Sequence, residues 1–183
     1  PDTETLVEAA IAHFAGRAPS TILDLGTGSG ALLLASLDQW RSAWGIGIDR
    51  SAAALAVAAG NAARLGLGER AAFVRGSWAD ALDSRFDLIL CNPPYVESGA
   101  LLPSDVAAHE PASALYSGPD GLDDYRLLVP QLPRLLAPRG LAVLEIGATQ
   151  AAAVSRLVEA AGLRAATATD LAGLDRCLAV TAP

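Results

Sequence analysis

TILDLGTGSGALLLA, residues 21–35, is the stretch that decides the fold. Residues 21–25 have the pattern of a short buried strand, residues 26–30 form a glycine-rich loop, and an apolar helix pattern follows. This order forms a unit that cradles a nucleotide-like ligand, because glycine lets the backbone approach the ligand closely. The G-x-G-x-G spacing differs from the G-x-G-x-x-G dinucleotide fingerprint, and no lysine follows as a P-loop requires. Taken alone, the loop could be only a tight turn.

A second strand pattern, residues 44–48, ends in the carboxylate of Asp49. Asp49 lies 19 residues after Gly30, a separation at which an acidic residue can accept hydrogen bonds from both hydroxyls of a ribose. The alternative is that Asp49 caps the helix expected to begin near Ser51. Its register with the glycine loop favours the ribose role.

The stretch Asn92-Pro93-Pro94-Tyr95 follows another buried-strand pattern at residues 86–91. The two prolines end this strand, since proline cannot donate to a sheet ladder. The asparagine oxygen and a backbone carbonyl of the Pro-Pro pair can accept two N–H groups, while the tyrosine ring lies against a flat group. The pattern predicts a site for a planar amide or amine, and the alternative is a rigid turn with an incidental asparagine.

These three stretches together resemble the class I S-adenosylmethionine-dependent methyltransferases. Residues 24–30 resemble their cofactor loop, Asp49 their ribose-binding acid, and residues 92–95 the motif of the subset that methylates planar nitrogen. The resemblance implies S-adenosylmethionine as cofactor and S-adenosylhomocysteine as product, with Trp78 bordering the adenine unless it only packs in the core. The expected cofactor-binding residues are Asp24, Gly26, Thr27, Gly28, Ser29, Gly30, Asp49, Trp78 and Asn92.

Further segments resemble the HemK-type protein-(glutamine-N5) methyltransferases across essentially the whole chain. Residues 1–8 resemble the opening of their catalytic domain, and residues 76–78 their loop after the third strand. Their later segments are similar to residues 109–111, 114–115, 118–123, 125–126, 144–147 with Gln150, and 170–176. The order and spacing of these segments carry the resemblance.

Two bacterial branches of that family differ in substrate. One methylates the glutamine of the Gly-Gly-Gln motif in class I peptide chain release factors, and the other a ribosomal-protein glutamine. Residues 1–8 and 170–176 resemble the release-factor branch more closely, so we expect a class I release factor as the partner. Family members usually carry a preceding helical substrate-binding domain. The chain begins where that domain would end and contains no methionine, so we expect residues 1–183 to be the catalytic domain alone.

The resemblance also implies how the catalytic residues act. Asn92 Oδ1 and the Pro93 carbonyl would accept the two amide hydrogens of the substrate. Pro94 stiffens the loop, and Tyr95 packs on the amide plane. Asp24 would contact the cofactor amine, directly or through water.

The charge balance favours a protein partner. The chain has 13 basic and 20 acidic residues, a net charge of −7, and no basic cluster. A nucleic-acid binder normally carries a basic stripe, so we expect no stable nucleic-acid binding. The main alternative is a nucleic-acid N-methyltransferase that uses the same loop around a flipped adenine or guanine. A second alternative is a non-catalytic module that keeps the cofactor fold and binds a partner protein.

Apolar strands alternate with helices along the chain, which predicts one α/β domain. We expect a Rossmann-like, seven-stranded, mostly parallel sheet with helices on both faces, as in the class I methyltransferases. Too few residues separate the last two strands for a crossover, so one strand near the C-terminus should be antiparallel. A helix is predicted over 122–137 and the fifth strand over 140–146. The loop 96–121 is long enough to be a lid or a substrate contact.

The few cysteines and histidines indicate no metal site. Cys91 and Cys177 fall in predicted strands, as buried thiols of a reduced compartment do. His13 and His109 are too far apart in sequence to argue for zinc. No apolar run reaches the roughly 18 residues of a membrane span. We therefore expect a cytoplasmic monomer without membrane attachment.

Overall fold

The computed structural model describes residues 2–80, 82–100, 112–169 and 173–183, and a seven-stranded sheet forms its centre. The strands are β1 Thr21–Leu25, β2 Trp44–Asp49, β3 Ala71–Arg75, β4 Phe86–Cys91, β5 Leu136–Glu145, β6 Arg164–Thr169 and β7 Asp175–Thr181. Their order across the sheet is β3-β2-β1-β4-β5-β7-β6. Among these strands β7 alone is reversed, so it pairs antiparallel with both β5 and β6, while all the other pairs are parallel. The predicted mostly parallel sheet with one reversed strand near the C-terminus is confirmed.

Helices cover both faces of this sheet, as predicted. They are α1 Asp2–His13, α2 Ala31–Gln39, α3 Ala52–Arg64, α4 Ala112–Leu115, α5 Asp123–Leu128, α6 Leu132–Leu135 and α7 Ala151–Ala160, with a 3₁₀ turn at Val129–Gln131. Side chains of β1 alternate between the two faces, so Ile22 joins the core beneath α1 and α2 while Leu23 joins the core beneath α5 and α7.

The segment between α5 and β5 differs from the sequence prediction. The prediction of one continuous helix over 122–137 is wrong, because Pro130 and Pro133 each start a new helical turn. Proline has no N–H to donate to the preceding turn, so the hydrogen-bond ladder of an α-helix cannot continue through either position. Strand β5 accordingly begins at Leu136, earlier than the predicted residue 140.

Two glycines in β2 let helix α2 and the loop after β1 pack close to the strand backbone. A Cβ atom on Gly45 would lie 2.5 Å from Leu33 Cδ1 of α2, and one on Gly47 would lie 2.7 Å from Thr27 Oγ1. Glycine weakens a strand interior, and here it makes room for other parts of the chain to approach the backbone. The pattern Gly-x-Gly in β2 therefore sets how closely the loop after β1 packs on the sheet.

The two cysteines are buried free thiols, as predicted. Burial raises the pKa of the Cys177 thiol to about 11 and holds that of Cys91 well above its ordinary value. No group of three or more His, Cys, Asp or Glu side chains in the described ranges could hold a metal ion. Across the same ranges, no helix combines the length and apolarity that crossing a bilayer requires.

Candidate active site

Four neighbouring strands end at one edge of the sheet, and each is followed there by a residue singled out from the sequence. Gly26 follows β1, Asp49 ends β2, and Asn92 follows β4. Trp78 lies three residues beyond β3. Because these strands are parallel, their carboxyl ends face the same crevice, where ligands of open α/β sheets bind.

The glycine loop (residues 26–30) turns back onto β2 through backbone hydrogen bonds. The N–H groups of Gly26 and Thr27 both donate to the Ile48 carbonyl at 2.9 Å, and Gly30 N–H donates to the Thr27 carbonyl at 2.8 Å. Gly26, Gly28 and Gly30 have φ values of +73°, +55° and +82°. Three left-handed residues so close together require glycine, since other L-residues rarely adopt this conformation.

The outer face of the glycine loop is open at Gly28. The nearest described atom to a Cβ placed there would be the Gly26 carbonyl oxygen, at 4.0 Å. Gly30 is instead closed in, with Ala58 of α3 only 3.1 Å from such a Cβ atom. Ser29 is exposed, and its carbonyl accepts a hydrogen bond of 2.8 Å from the Asn61 side chain. The loop is thus braced on its helix side and leaves a cradle on the other.

Asp49 ties the glycine loop to the start of α3. Its Oδ2 accepts the Gly28 N–H at 2.9 Å, and its Oδ1 accepts the Ser51 N–H at 2.8 Å. Ser51 is the N-cap of α3, because its hydroxyl accepts the Ala54 N–H at 3.2 Å. Asp49 therefore does not cap the helix, and each of its carboxylate oxygens keeps a further acceptor position for a ligand hydroxyl.

Asp24 lies behind the glycine loop. The residue is 1% exposed, and its Oδ2 accepts the Thr27 hydroxyl at 2.6 Å and the Leu33 N–H at 3.3 Å. Oδ1 has no hydrogen-bond partner among the described residues. Burial raises the pKa of Asp24 to about 6, while the bonds from Thr27 and Leu33 act in the opposite direction. Asp24 thus supports the loop from inside.

Trp78 lies over the first glycine of the loop. Its ring atom Cζ3 is 3.6 Å from where a Cβ on Gly26 would be, and the Asn92 carbonyl oxygen is 3.9 Å from the same point. Trp78 itself has φ +47°, which is uncommon for a bulky residue. The indole ring, the glycine loop and the loop after β4 therefore meet at one place.

The Asn-Pro-Pro-Tyr loop (residues 92–95) has an exposed first residue and a buried second one. Asn92 is exposed, Pro93 is buried, and Pro94 and Tyr95 are half-buried. Beyond Tyr95 the chain pairs with a later segment: Val96 N–H donates to the Leu115 carbonyl, and Ser117 N–H donates to the Val96 carbonyl, both at 2.9 Å. The loop is therefore fixed at both ends with the Asn92 side chain accessible.

Sequence reasoning missed the side chains that support this loop from behind. The Gln150 amide donates to the Tyr95 carbonyl at 2.9 Å. The Ser117 hydroxyl donates to Asp124 Oδ2 and accepts the Asp124 N–H, both at 2.8 Å. The buried Tyr125 hydroxyl donates to the Glu145 carbonyl at 2.6 Å. Gln150 and Tyr125 fall within segments that resemble a known family, whereas Ser117 and Asp124 do not, and no local pattern shows which side chains meet the loop.

Part of the loop 96–121 and parts of two segments that carry the resemblance lie outside the described residues. Residues 101–111 of the loop 96–121, which include His109, lie outside the described residues, and so do residues 170–172.

The strand order, the single reversed strand, and the carboxylate bound to the glycine loop define a Rossmann-like α/β fold of the class I methyltransferase type. The chain belongs to the methyltransferase-domain family, since the protein-family model described as "Methyltransferase domain" matches residues 18–160 of its sequence.

Curated relatives of high similarity carry one shared name, release factor glutamine methyltransferase. The protein from Rhodospirillum rubrum is 50% identical over 181 residues, covering 97% of this chain and 55% of its own length. The protein from Caulobacter vibrioides is 46% identical, with coverages of 96% and 62%. The protein from Cereibacter sphaeroides is 48% identical, with coverages of 100% and 66%. The chain thus spans somewhat more than half the length of these relatives.

Solved structures share the fold at low sequence identity. A ribosomal protein L11 methylase from Lactobacillus delbrueckii subsp. bulgaricus superposes with a TM-score of 0.73 at 22% identity, covering 98% of this chain and 78% of the other. The glycopeptide N-methyltransferase MtfA, solved with (S)-adenosyl-L-methionine, gives a TM-score of 0.70 at 16% identity, with coverages of 100% and 95%. These similarities support the fold.

Proposed function

We propose that this chain transfers a methyl group from S-adenosylmethionine to the side-chain amide nitrogen of the glutamine in the Gly-Gly-Gln motif of class I peptide chain release factors. The observation that carries the proposal is the meeting of Trp78, Gly26 and Asn92 at one sheet edge, where a cofactor cradle adjoins an accessible amide acceptor. The shared name of the curated relatives supports the substrate.

The residues around the glycine loop fit an adenosyl cofactor. The open face at Gly28 leaves room for the methionine part beside residues 26–30, and the free acceptor positions of Asp49 suit two ribose hydroxyls. The indole of Trp78 can border the adenine. Asp24 is proposed to act mainly through Thr27 and the loop backbone. When bound, the cofactor supplies a methyl group activated on a sulfonium sulfur.

The Asn-Pro-Pro-Tyr loop is proposed to hold the substrate amide. Such a nitrogen is a poor nucleophile, because its lone pair is delocalised into the carbonyl as in a peptide bond. Asn92 Oδ1 and the Pro93 carbonyl accept its two hydrogens, which fixes the nitrogen in line for displacement and favours the positive charge that grows on it. Tyr95 packs on the amide plane, and Pro94 restricts the loop. No strong base is needed, because the nitrogen becomes acidic once methylated.

The proposed partner is a protein that works in translation, so we place the enzyme in the cytoplasm, as a monomer without stable nucleic-acid binding. The net charge of −7 favours a partner with a basic surface over a polyphosphate.

Methyl transfer from labelled S-adenosylmethionine tests the proposal. The acceptors are a class I release factor, its variant with Gln→Ala in the Gly-Gly-Gln motif, total RNA and a ribosomal-protein pool. We expect label on the wild-type factor alone. Label on RNA or on the ribosomal pool would instead identify one of the two alternative substrate classes, and label on the Gln→Ala factor would place the reaction at another residue.

A further inference from the structure

Gln150, the residue before α7, has an amide side chain that joins three separate backbone segments. Its Nε2 donates to the Tyr95 carbonyl at 2.9 Å and more weakly to the Gly121 carbonyl at 3.4 Å. Its Oε1 accepts the Gly147 N–H at 3.0 Å, just beyond the end of β5. The side chain therefore connects the Asn-Pro-Pro-Tyr loop, the turn before α5 and the end of a central strand.

The backbone around this amide leaves no room for other side chains. A Cβ atom on Gly121 would overlap the Tyr95 carbonyl oxygen and lie 2.7 Å from Gln150 Nε2. A Cβ on Gly147 would lie 3.0 Å from Gln150 Oε1 and 3.5 Å from Tyr95 Cδ2. Two glycines thus allow the chain to close around one planar group. Such a closely fitted arrangement restricts the movement of the Tyr95 carbonyl.

The joined segment is also rigid on its far side. Tyr125 of α5 is fully buried and donates to the Glu145 carbonyl, two residues before Gly147. Helix α5 and the end of β5 are therefore anchored to each other independently of Gln150. The Gln150 amide connects the Tyr95 carbonyl to these anchored elements by hydrogen bonds.

We infer that Gln150 is a positioning residue for methyl transfer. Its amide fixes the position of the Asn-Pro-Pro-Tyr loop, and so of Asn92, relative to the cofactor cradle. The inference rests on the proposed role of that loop. A displacement of about 1 Å at the reacting atoms can reduce a rate by about 100-fold, so a side chain that never touches substrate can control turnover.

The chemistry of the contact requires a group that donates at one end and accepts at the other. Gln150→Glu keeps the shape and the acceptor for Gly147 N–H, but an ionised carboxylate cannot donate to the Tyr95 carbonyl. Two acceptor oxygens would then face each other at the present distance of 2.9 Å, and the loop would move away. A protonated carboxyl can donate, so acidification should restore the contact.

The experiment compares Gln150→Glu with Gln131→Glu. Gln131 makes the same kind of bond, from Nε2 to the Leu127 carbonyl at 3.1 Å, but in the 3₁₀ turn between α5 and α6. We expect kcat of Gln150→Glu to fall by about tenfold or more at pH 8, with cofactor Kd within about threefold of wild type. Gln131→Glu should keep the wild-type kcat.

The pH profile distinguishes positioning from simple loss of structure. The ratio of kcat for Gln150→Glu to kcat for wild type should rise as the pH falls from 8 to 6, because the carboxyl becomes a donor. The ratio for Gln131→Glu should stay flat. Gln150→Ala, which has neither donor nor acceptor, should lose activity without recovery at low pH, and its thermal unfolding shows whether it folds.

Asn92→Ala, measured in the same assay, separates this inference from the proposed function. Retained turnover in Asn92→Ala would overturn the role of the loop, and that of Gln150 with it, whereas absence of label on the release factor with the wild-type protein would overturn the proposed function. An inactive Asn92→Ala beside a fully active Gln150→Glu would overturn only the role of Gln150. Loss of cofactor binding in parallel with activity in Gln150→Glu, with no recovery at low pH, would show a purely structural residue and also overturn it.

Discussion

The glycine loop and the Asn-Pro-Pro-Tyr loop lie side by side at one sheet edge, yet they are held in different ways. The glycine loop is bonded by its own neighbourhood in the chain, and its link to Asp49 spans only 21 residues. The bond from Gln150 to the Tyr95 carbonyl spans 55 residues. The glycine loop, in the proposed cofactor half of the site, is therefore bonded mainly by nearby parts of the chain, whereas the loop in the proposed substrate half is held by residues distant in sequence.

This difference has a functional consequence. A change in the proposed cofactor half should act mainly on cofactor affinity, because Asp49 and Thr27 hold the glycine loop in place. A change in the substrate half should act on turnover and leave the cradle intact. The following variants are expected to separate the two halves, beginning with the largest effect.

Asn92→Ala removes the proposed acceptor for the substrate amide. We expect kcat to fall by at least about 100-fold, the cost of removing one group that stabilises developing charge. Single-turnover transfer to the release factor is the measurement. Turnover within tenfold of wild type would contradict the assignment of Asn92.

Asp49→Ala removes the proposed ribose acceptor. Losing hydrogen bonds to a charged group should weaken cofactor binding by about 1.5–3 kcal/mol, or about 10- to 150-fold in Kd, measured by equilibrium dialysis. Asp87→Ala is the matched control, since Asp87 also accepts two backbone N–H groups, those of Ser20 and Thr21, but at the opposite end of the sheet. Equal affinity losses in both variants would contradict the ribose role.

Gly121→Ala tests the packing behind Tyr95. The added methyl group meets the Tyr95 carbonyl and Gln150, in a backbone with φ +69°. Gly66→Ala has nearly the same φ, +70°, with no described atom within 4 Å of the added Cβ. Both variants carry the same backbone strain, so the difference between them comes from the contacts of the added methyl group. We expect the free energy of unfolding of Gly121→Ala to be lower than that of Gly66→Ala by about 1–3 kcal/mol in denaturant unfolding. Equal stabilities would show that the loop shifts to accept the methyl group without loss of stability.

Asp24→Asn tests the support inside the cofactor half through pH. The pKa of Asp24 rises from 3.8 to about 6 on folding, so the folded state binds more protons between these values. Stability of the wild type should therefore fall as pH rises through this window, by about 1 kcal/mol per pH unit from this residue, and stay level above it. Asp24→Asn should lack that slope. If the free energy of unfolding depended on pH in the same way in both proteins, this would contradict a raised pKa for Asp24.

The sequence was sufficient for the sheet and for the position of Asp49 beside the glycine loop, because both depend on local patterns. Apolar strands that alternate with helices along the chain predict the seven-stranded sheet. The spacing from Gly30 to Asp49 predicts a carboxylate beside the glycine loop. The helix predicted over 122–137 is interrupted at Pro130 and Pro133, and both prolines are visible in the sequence as helix breakers.

The substrate half could be predicted only in part. The two prolines after β4 marked the loop, but nothing local to residues 92–95 indicates that Gln150 or Ser117 would support it. Such contacts arise when the order of strands brings the ends of β4 and β5 together, and that order is a property of the whole fold. Supporting side chains of this kind need the structure.

The central claim is that the two halves are separable, and one binding measurement tests it most directly. Labelled S-adenosylmethionine is titrated into Asn92→Ala protein whose loss of methyl transfer has been established. The account predicts a Kd within a few fold of wild type, because the cradle formed by residues 26–30 and Asp49 is unchanged. A loss of affinity in proportion to the loss of turnover would contradict it, because Asn92 would then act mainly through cofactor binding.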